Sequence, residues 1–293
     1  MFSTAYSIAS QFTHPVIVSL RRWNGSVECA LGAFVILNPE GWIATAAHLW
    51  DWHFEFEKHQ PEISRRNQEA ARIQENPMLT PKQKRKRIDK LGADPQWITN
   101  HSFWWGKDGF NVKETIMLKP ADLAVGKLEP FEPTWVSSFP SIKDPSRGLN
   151  PGLSLCKLGF PFHEIKASYD AATDRFVISE GTFPIPRFPI EGIYTRNVLV
   201  RKSDEDVPDI KFLETSSPGL KGQSGGPIFD VKGTVWAIQS KTIHLELGFR
   251  PTVSKNGRKV EENQFLNVGW GVHPETLVWF LTKNGVKFTQ SGY

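Results

Sequence analysis

Three short stretches of this chain carry side chains that can do polar chemistry together. Ser224 lies in GQSGGP, within "GLKGQSGGPIFD" at residues 219–230. Glycine two places before the serine, and two glycines directly after it, build a tight turn that aims backbone N–H groups at one spot, because glycine adopts angles other residues avoid. His48 closes TAAH, and Asp122 opens the DLAV of ADLAV. A serine hydroxyl is a poor nucleophile at neutral pH unless a base accepts its proton. An imidazole titrates near neutrality, and a carboxylate on its other ring nitrogen fixes the tautomer. Taken singly, each stretch has a plainer reading: a glycine-rich hairpin, a structural histidine at a strand end, and a common strand start.

The elements that would position them read mostly as strands. VIVSLRRW (16–23), ECALGAFVIL (28–37) and WIATAAHLW (42–50) are apolar runs, the last two joined by the turn NPEG (38–41). That turn marks a hairpin, since Pro and Gly preset its backbone angles. Further short strands are expected at 114–119, 122–129, 153–160, 175–183, 198–202, 212–217, 227–230 and 234–242. Many short strands without alternating helices indicate sandwiches or barrels. Helix formers interrupt the pattern between about 54 and 96, in PEISRRNQEAARIQEN (61–76) and TPKQKRKRIDKLG (80–92), with Thr80 as N-cap, Pro81 at the first helical position and Gly92 as the stop. A last helix fits PETLVWFLTKNG (274–285).

On TAAH, DLAV and GQSGGP, in the order His, Asp, Ser, the chain resembles a trypsin-like (chymotrypsin-fold) serine protease. NVGWGVHPETLV (267–278) is similar to the strand and helix that follow the specificity pocket in the HtrA-type branch, and no PDZ domain is expected after it. The resemblance implies an all-β fold of two six-stranded antiparallel barrels, with the helical insertion in the first barrel and a C-terminal helix. The first barrel, with its insert, would occupy 1–140, and the second barrel with the last helix 141–293. The resemblance also implies His48 as base, Asp122 as its orienting carboxylate and Ser224 as nucleophile. The N–H groups of Gly222 and Ser224 would form the oxyanion hole, while Gly225 and Gly226 would leave room beside the nucleophile. The implied activity is a serine endopeptidase working through an acyl-enzyme on selected proteins. A catalytically silent protease fold that recruits a partner is the competing reading.

Two departures from the family pattern matter. Where secreted members carry an aspartate that pairs with a newly freed N-terminus, this chain has Gln223, so other contacts must order the loop. At the position of a trypsin-type pocket aspartate stands Pro218, in SSPGLKG, which favours a small or apolar pocket lined by Ser217, Pro218 and Gly269 over one for Lys or Arg. Ala237, Ile238, Gln239 and Ser240 are expected to form the edge strand on which a peptide pairs.

Composition bounds the rest. The 293 residues, 39% hydrophobic and 23% charged, suit one large domain or two small ones. Ten Lys/Arg against four Asp/Glu at 58–90 make that segment +6, whereas the whole chain is only +4. The run KQKRKR (82–87) reads as a solvated helix face, as a docking site for an acidic regulatory protein along 61–92 or a substrate recognition site, or, least of all, as a nucleic-acid contact. HSFWW (101–105) is expected to pack the insert onto the barrel. Two cysteines, Cys29 and Cys156, fit free thiols in a reducing compartment better than a bridge. The N-terminus has neither a basic start nor an apolar core, and no apolar run reaches the ~20 residues of a membrane helix. The expectation is a cytoplasmic enzyme with no membrane partner and no cofactor. His48, His53 and His59 lack the companions of a metal ligand set.

Overall fold

The structure, a computed structural model, describes residues 1–202, 208–255 and 257–293. It is mostly β. A helix α1 (Ser3–Phe12) leads into β1 (Thr13–Arg22), β2 (Val27–Ile36) and β3 (Trp42–Ala46). Then come α2 (Asp51–Glu75), α3 (Pro81–Lys90), β4 (Ile98–Trp105), β5 (Asn111–Leu118) and β6 (Leu123–Glu129). These six strands form one sheet in the order β4-β1-β2-β3-β6-β5. The expected β2–β3 hairpin is present, with Val35 opposite Ala44. Asn38 closes its turn by accepting from the N–H groups of Glu40 and Trp42.

The second half opens with β7 (Ser141–Ile142), β8 (Ser154–Gly159), β9 (Ala167–Asp170), β10 (Arg175–Ile178), β11 (Phe188–Arg201) and β12 (Ile210–Thr215). It continues through β13 (Pro227–Phe229), β14 (Val235–Glu246), β15 (Thr252–Lys255), β16 (Arg258–Glu261) and β17 (Phe265–Val272), then α4 (Pro274–Lys283) and β18 (Thr289–Gln290). The order β13-β8-β11-β12-β17-β14 closes on itself through a β13–β14 pairing, with β7 and β18 added in parallel outside the ring. The two halves differ in closure: this ring is complete, whereas no pairing joins β4 to β5 in the first sheet.

One apolar cluster fills the first sheet around Val16, Phe34, Ile43 and Trp105, and a smaller one fills the ring around Tyr194, Leu213 and Trp236. A third cements the two sheets: Val35, Leu123 and Val125 meet Leu158, Phe212 and Ile238, covered by Phe12 of α1 and Leu277 of α4. Each such fully buried side chain stabilises the fold by about 1.5–3 kcal/mol, so the seam between the sheets is a rigid platform.

The insert differs from its expected form at the start. α2 begins at Asp51 and runs through Pro61. Pro61 reads as a helix start in the sequence, but packing overrides it. Trp52 and Phe54 lie against the first-sheet core, His59 Nδ1 accepts from Ile98 N at 3.0 Å, and Gln60 donates to Ile98 O. HSFWW is the second half of β4, and its His101 and Phe103 face His53 and Phe56 of α2. The expected caps of α3 are present: Thr80 and Gln83 bond reciprocally, and Gly92 turns with φ +62°. Cys29 and Cys156 are free thiols.

Candidate active site

His48 sits in a 3-10 turn (Ala47–Trp50) directly after β3, and Asp122 stands at the head of β6, the strand that pairs with β3. The carboxylate and imidazole meet because Ala47 N donates to Asp122 O and Asp122 takes a left-handed backbone, φ 54°. Few side chains tolerate that region, and Asp is one of them. Asp122 Oδ2 accepts from His48 Nδ1 at 2.8 Å and from Ser240 Oγ at 2.6 Å, while Oδ1 accepts the His48 backbone N–H at 2.9 Å.

Burial pushes the Asp122 carboxyl up, but the hydrogen bonds from His48 and Ser240 and the charge of His48 hold it below its ordinary value. An ionised carboxylate only accepts, so Nδ1 must carry the hydrogen and Nε2 keeps a free lone pair. For His48, loss of water lowers the pKa. The hydrogen bond and charge of Asp122, with the charge of Asp51, outweigh that and raise it above 6.5.

Ser224 reaches the same place from the second ring. Its carbonyl accepts from Ala33 N of β2 at 2.8 Å, a bond across the seam. Gly225 N donates to Gln239 O, Gln239 N to Gly226 O, Gly226 N to Gln223 O and Phe160 N to Gly222 O. Among the described residues the N–H groups of Gly222 and Ser224 donate to no protein acceptor, whereas the backbone around them is tied down. Gly222 holds φ +97°, and a Cβ there would lie 2.5 Å from Phe160 O. At Gly225 a Cβ would strike Ala33 O and Thr45 Oγ1. Gln223 is fully buried; it accepts from Leu220 N at 3.0 Å and donates to Phe188 O at 3.3 Å. This amide ties the turn before Ser224 through local contacts.

His48 and Ser224 line one cavity of about 240 Å³ with Leu31, Asp51, Trp52 and Gly222. The Ser224 hydroxyl makes no hydrogen bond among the described residues, and such contacts tighten when substrate binds.

The expected substrate strand needs correcting. Ala237 and Ile238 are fully buried, and Ile238 is paired on both sides, with Pro227 and with Val272. The bond of Gln239 to the Gly225–Gly226 backbone extends that pairing, and the Ser240 hydroxyl is spent on Asp122. Among the described residues, from Lys241 onward β14 pairs only with β17. The free edge among them therefore starts at Lys241, because the Ser224 loop occupies the edge before it.

The carbonyl of Pro218, expected to line the substrate pocket, accepts from Lys157 Nζ at 2.9 Å. Lys157, which sequence reasoning missed, is fully buried on β8. A lone lysine inside the apolar run LSLCKLGF was the available signal. Ser240 as a partner of Asp122 was missed as well, since nothing in AIQS distinguishes a structural hydroxyl.

Residues 32–238 match the model of the trypsin-like peptidase domain. Similar solved structures include the Rv3671c protease of M. tuberculosis in its active form, with TM-score 0.48, 10% identity, and 98% of this chain and 86% of that one covered. Another is the HtrA-type protease AlgW with a tripeptide, with TM-score 0.44, 14% identity, and 98% of this chain and 64% of that one covered. No curated protein matches the chain in sequence. With more than half its length matched by that family model, the chain belongs to the trypsin-like peptidases and is a hydrolase of the serine-protease class.

Proposed function

We propose that this protein is a serine endopeptidase that cuts selected proteins through His48, Asp122 and Ser224. The supporting observation is the Asp122–His48 Nδ1 bond at 2.8 Å, which leaves Nε2 bare in the cavity that Ser224 also lines. Ser224 Oγ attacks the scissile carbonyl and gives its proton to Nε2. Asp122 stabilises the resulting imidazolium, and the Gly222 and Ser224 N–H groups hold the oxyanion. His48 then protonates the leaving amine, and water, deprotonated by the same nitrogen, releases the acyl group. The unbridged Cys29 and Cys156 suit a reducing compartment, and the substrates are read as cytoplasmic proteins. No helix among the described residues is long and apolar enough to cross a membrane.

Such an enzyme needs restraint, and the insert over 61–92 is read as the docking surface of an acidic regulatory protein. Lys82, Arg85, Lys86 and Arg87 are exposed on α3, and no ion pair to them occurs among the described residues. The silent-scaffold reading draws on one observation, the unbonded Ser224 hydroxyl. A fluorophosphonate probe decides between the two, applied to purified protein and to lysate: labelling that disappears in Ser224→Ala supports the peptidase, and no labelling in either setting leaves the scaffold.

A further inference from the structure

On the peptidase reading, the pocket for the side chain preceding the scissile bond has three walls: residues 217–220, β14 at Gln239–Thr242, and β17 at Gly269. The walls are in contact. Gly219 abuts the Gln239 amide, Thr242 Oγ1 donates to Gly219 O, and Gly269 packs on Ser217 O and Gly219 N. Lys157 rises into its base from β8: a Cβ at Gly269 would lie 2.5 Å from Nζ. The ammonium donates to Thr215 Oγ1 at 2.9 Å, to Pro218 O at 2.9 Å and to Ser217 O. All three acceptors are neutral. Among the described residues no carboxylate pairs with it, and Glu214, next to Thr215 on β12, is committed to Arg196, Thr195 and Trp270.

We propose that the enzyme cleaves after acidic residues, the Asp or Glu carboxylate pairing with Lys157 at the pocket base. The proposal rests on the peptidase reading of the site. A charge taken out of water is stable only when paired. Here three neutral dipoles hold it, and burial alone draws its pKa down to about 7. An entering carboxylate supplies the missing counter-charge in a charge-assisted bond and takes the place of one carbonyl acceptor. A Lys or Arg side chain would meet a like charge, and an apolar one would leave the ammonium as it is. A peptide that pairs with the free edge at Lys241 lies beside Thr242, and its acidic side chain enters as the Thr242–Gly219 bond opens.

The test is a fluorogenic peptide series differing only before the scissile bond. Asp or Glu should exceed Asn or Gln in kcat/KM by at least tenfold. Lys157→Met should abolish that ratio, and Lys157→Gln, which keeps a donor for the Ser217 and Pro218 carbonyls, provides the same reading if the Met variant does not fold. Equal rates for Asp and Asn in the wild type, or an unchanged ratio in a folded Lys157 variant, would overturn the proposal. A binding arm separates it from the triad: Ser224→Ala protein is titrated calorimetrically with peptides ending in Asp or Asn. Tighter binding of the Asp peptide without fluorophosphonate labelling of the wild type would sink the triad and keep the acidic pocket. Equal binding would sink the pocket whatever the labelling.

Discussion

Ser240 Oγ donates to Asp122 Oδ2 at 2.6 Å, so the carboxylate of the first sheet is held by a hydroxyl of the second. This bond, with the Ala33–Ser224 backbone bond, makes the site a product of the seam. Ser240→Ala should lower kcat by about tenfold, since a hydrogen bond to a charged group contributes about 1.5 kcal/mol or more. KM should stay nearly constant, because the carboxylate would lose orientation without any loss of substrate contacts. Steady-state kinetics check this, and a change confined to KM would count against it.

The imidazole must be neutral to accept a proton. Because the net effect of its surroundings raises the His48 pKa above 6.5, activity should fall on acidification with a midpoint above that value. Asp122→Asn removes the two largest raising influences, so the midpoint should move down while the maximal rate drops by roughly 10⁴, as for other enzymes with this triad. The profile of kcat/KM between pH 5 and 9 shows both, and a flat profile would remove His48 from its role.

Gly225 is wedged against Ala33 O and Thr45 Oγ1 at φ +84°. Gly225→Ala therefore combines a forbidden contact with backbone strain, and should destabilise the fold by about 3 kcal/mol or more. Thermal unfolding reports the loss as a lowered Tm, together with lost fluorophosphonate labelling.

Gln223 ties the Ser224 loop by two local hydrogen bonds. Gln223→Ala leaves Leu220 N and Phe188 O without their partner and loosens the segment that presents the Gly222 N–H. Turnover should fall about 10²-fold, the cost of losing an oxyanion donor, with a smaller effect on Tm. Equal activity in the variant would show that the turn orders itself.

Much of this was legible before any coordinates. The strand hairpin at 28–46, the α3 caps and the three polar residues are signalled by short-range chemistry: turn residues, capping pairs and glycine spacing. What escaped depends on long-range pairing. Whether Ala237 lies on an edge depends on where the nucleophile loop folds back, 226 against 239. Likewise Pro61 signals a helix start, and the contacts of His53, Phe56 and His59 with β4 carry the helix back to Asp51. Lys157 was visible as an oddity in an apolar run, but its surroundings come from segments about sixty and a hundred residues away.

That early start of α2 has a mechanical result. The helix leaves the His48 turn without a linker, and its 25 residues make a rod roughly 38 Å long. The rod starts three residues after His48, and Lys84 of the neighbouring helix grips its tip at Gln74 O. A protein bound to the basic face of α3 would hold the far end of this rod, whose near end adjoins the His48 turn.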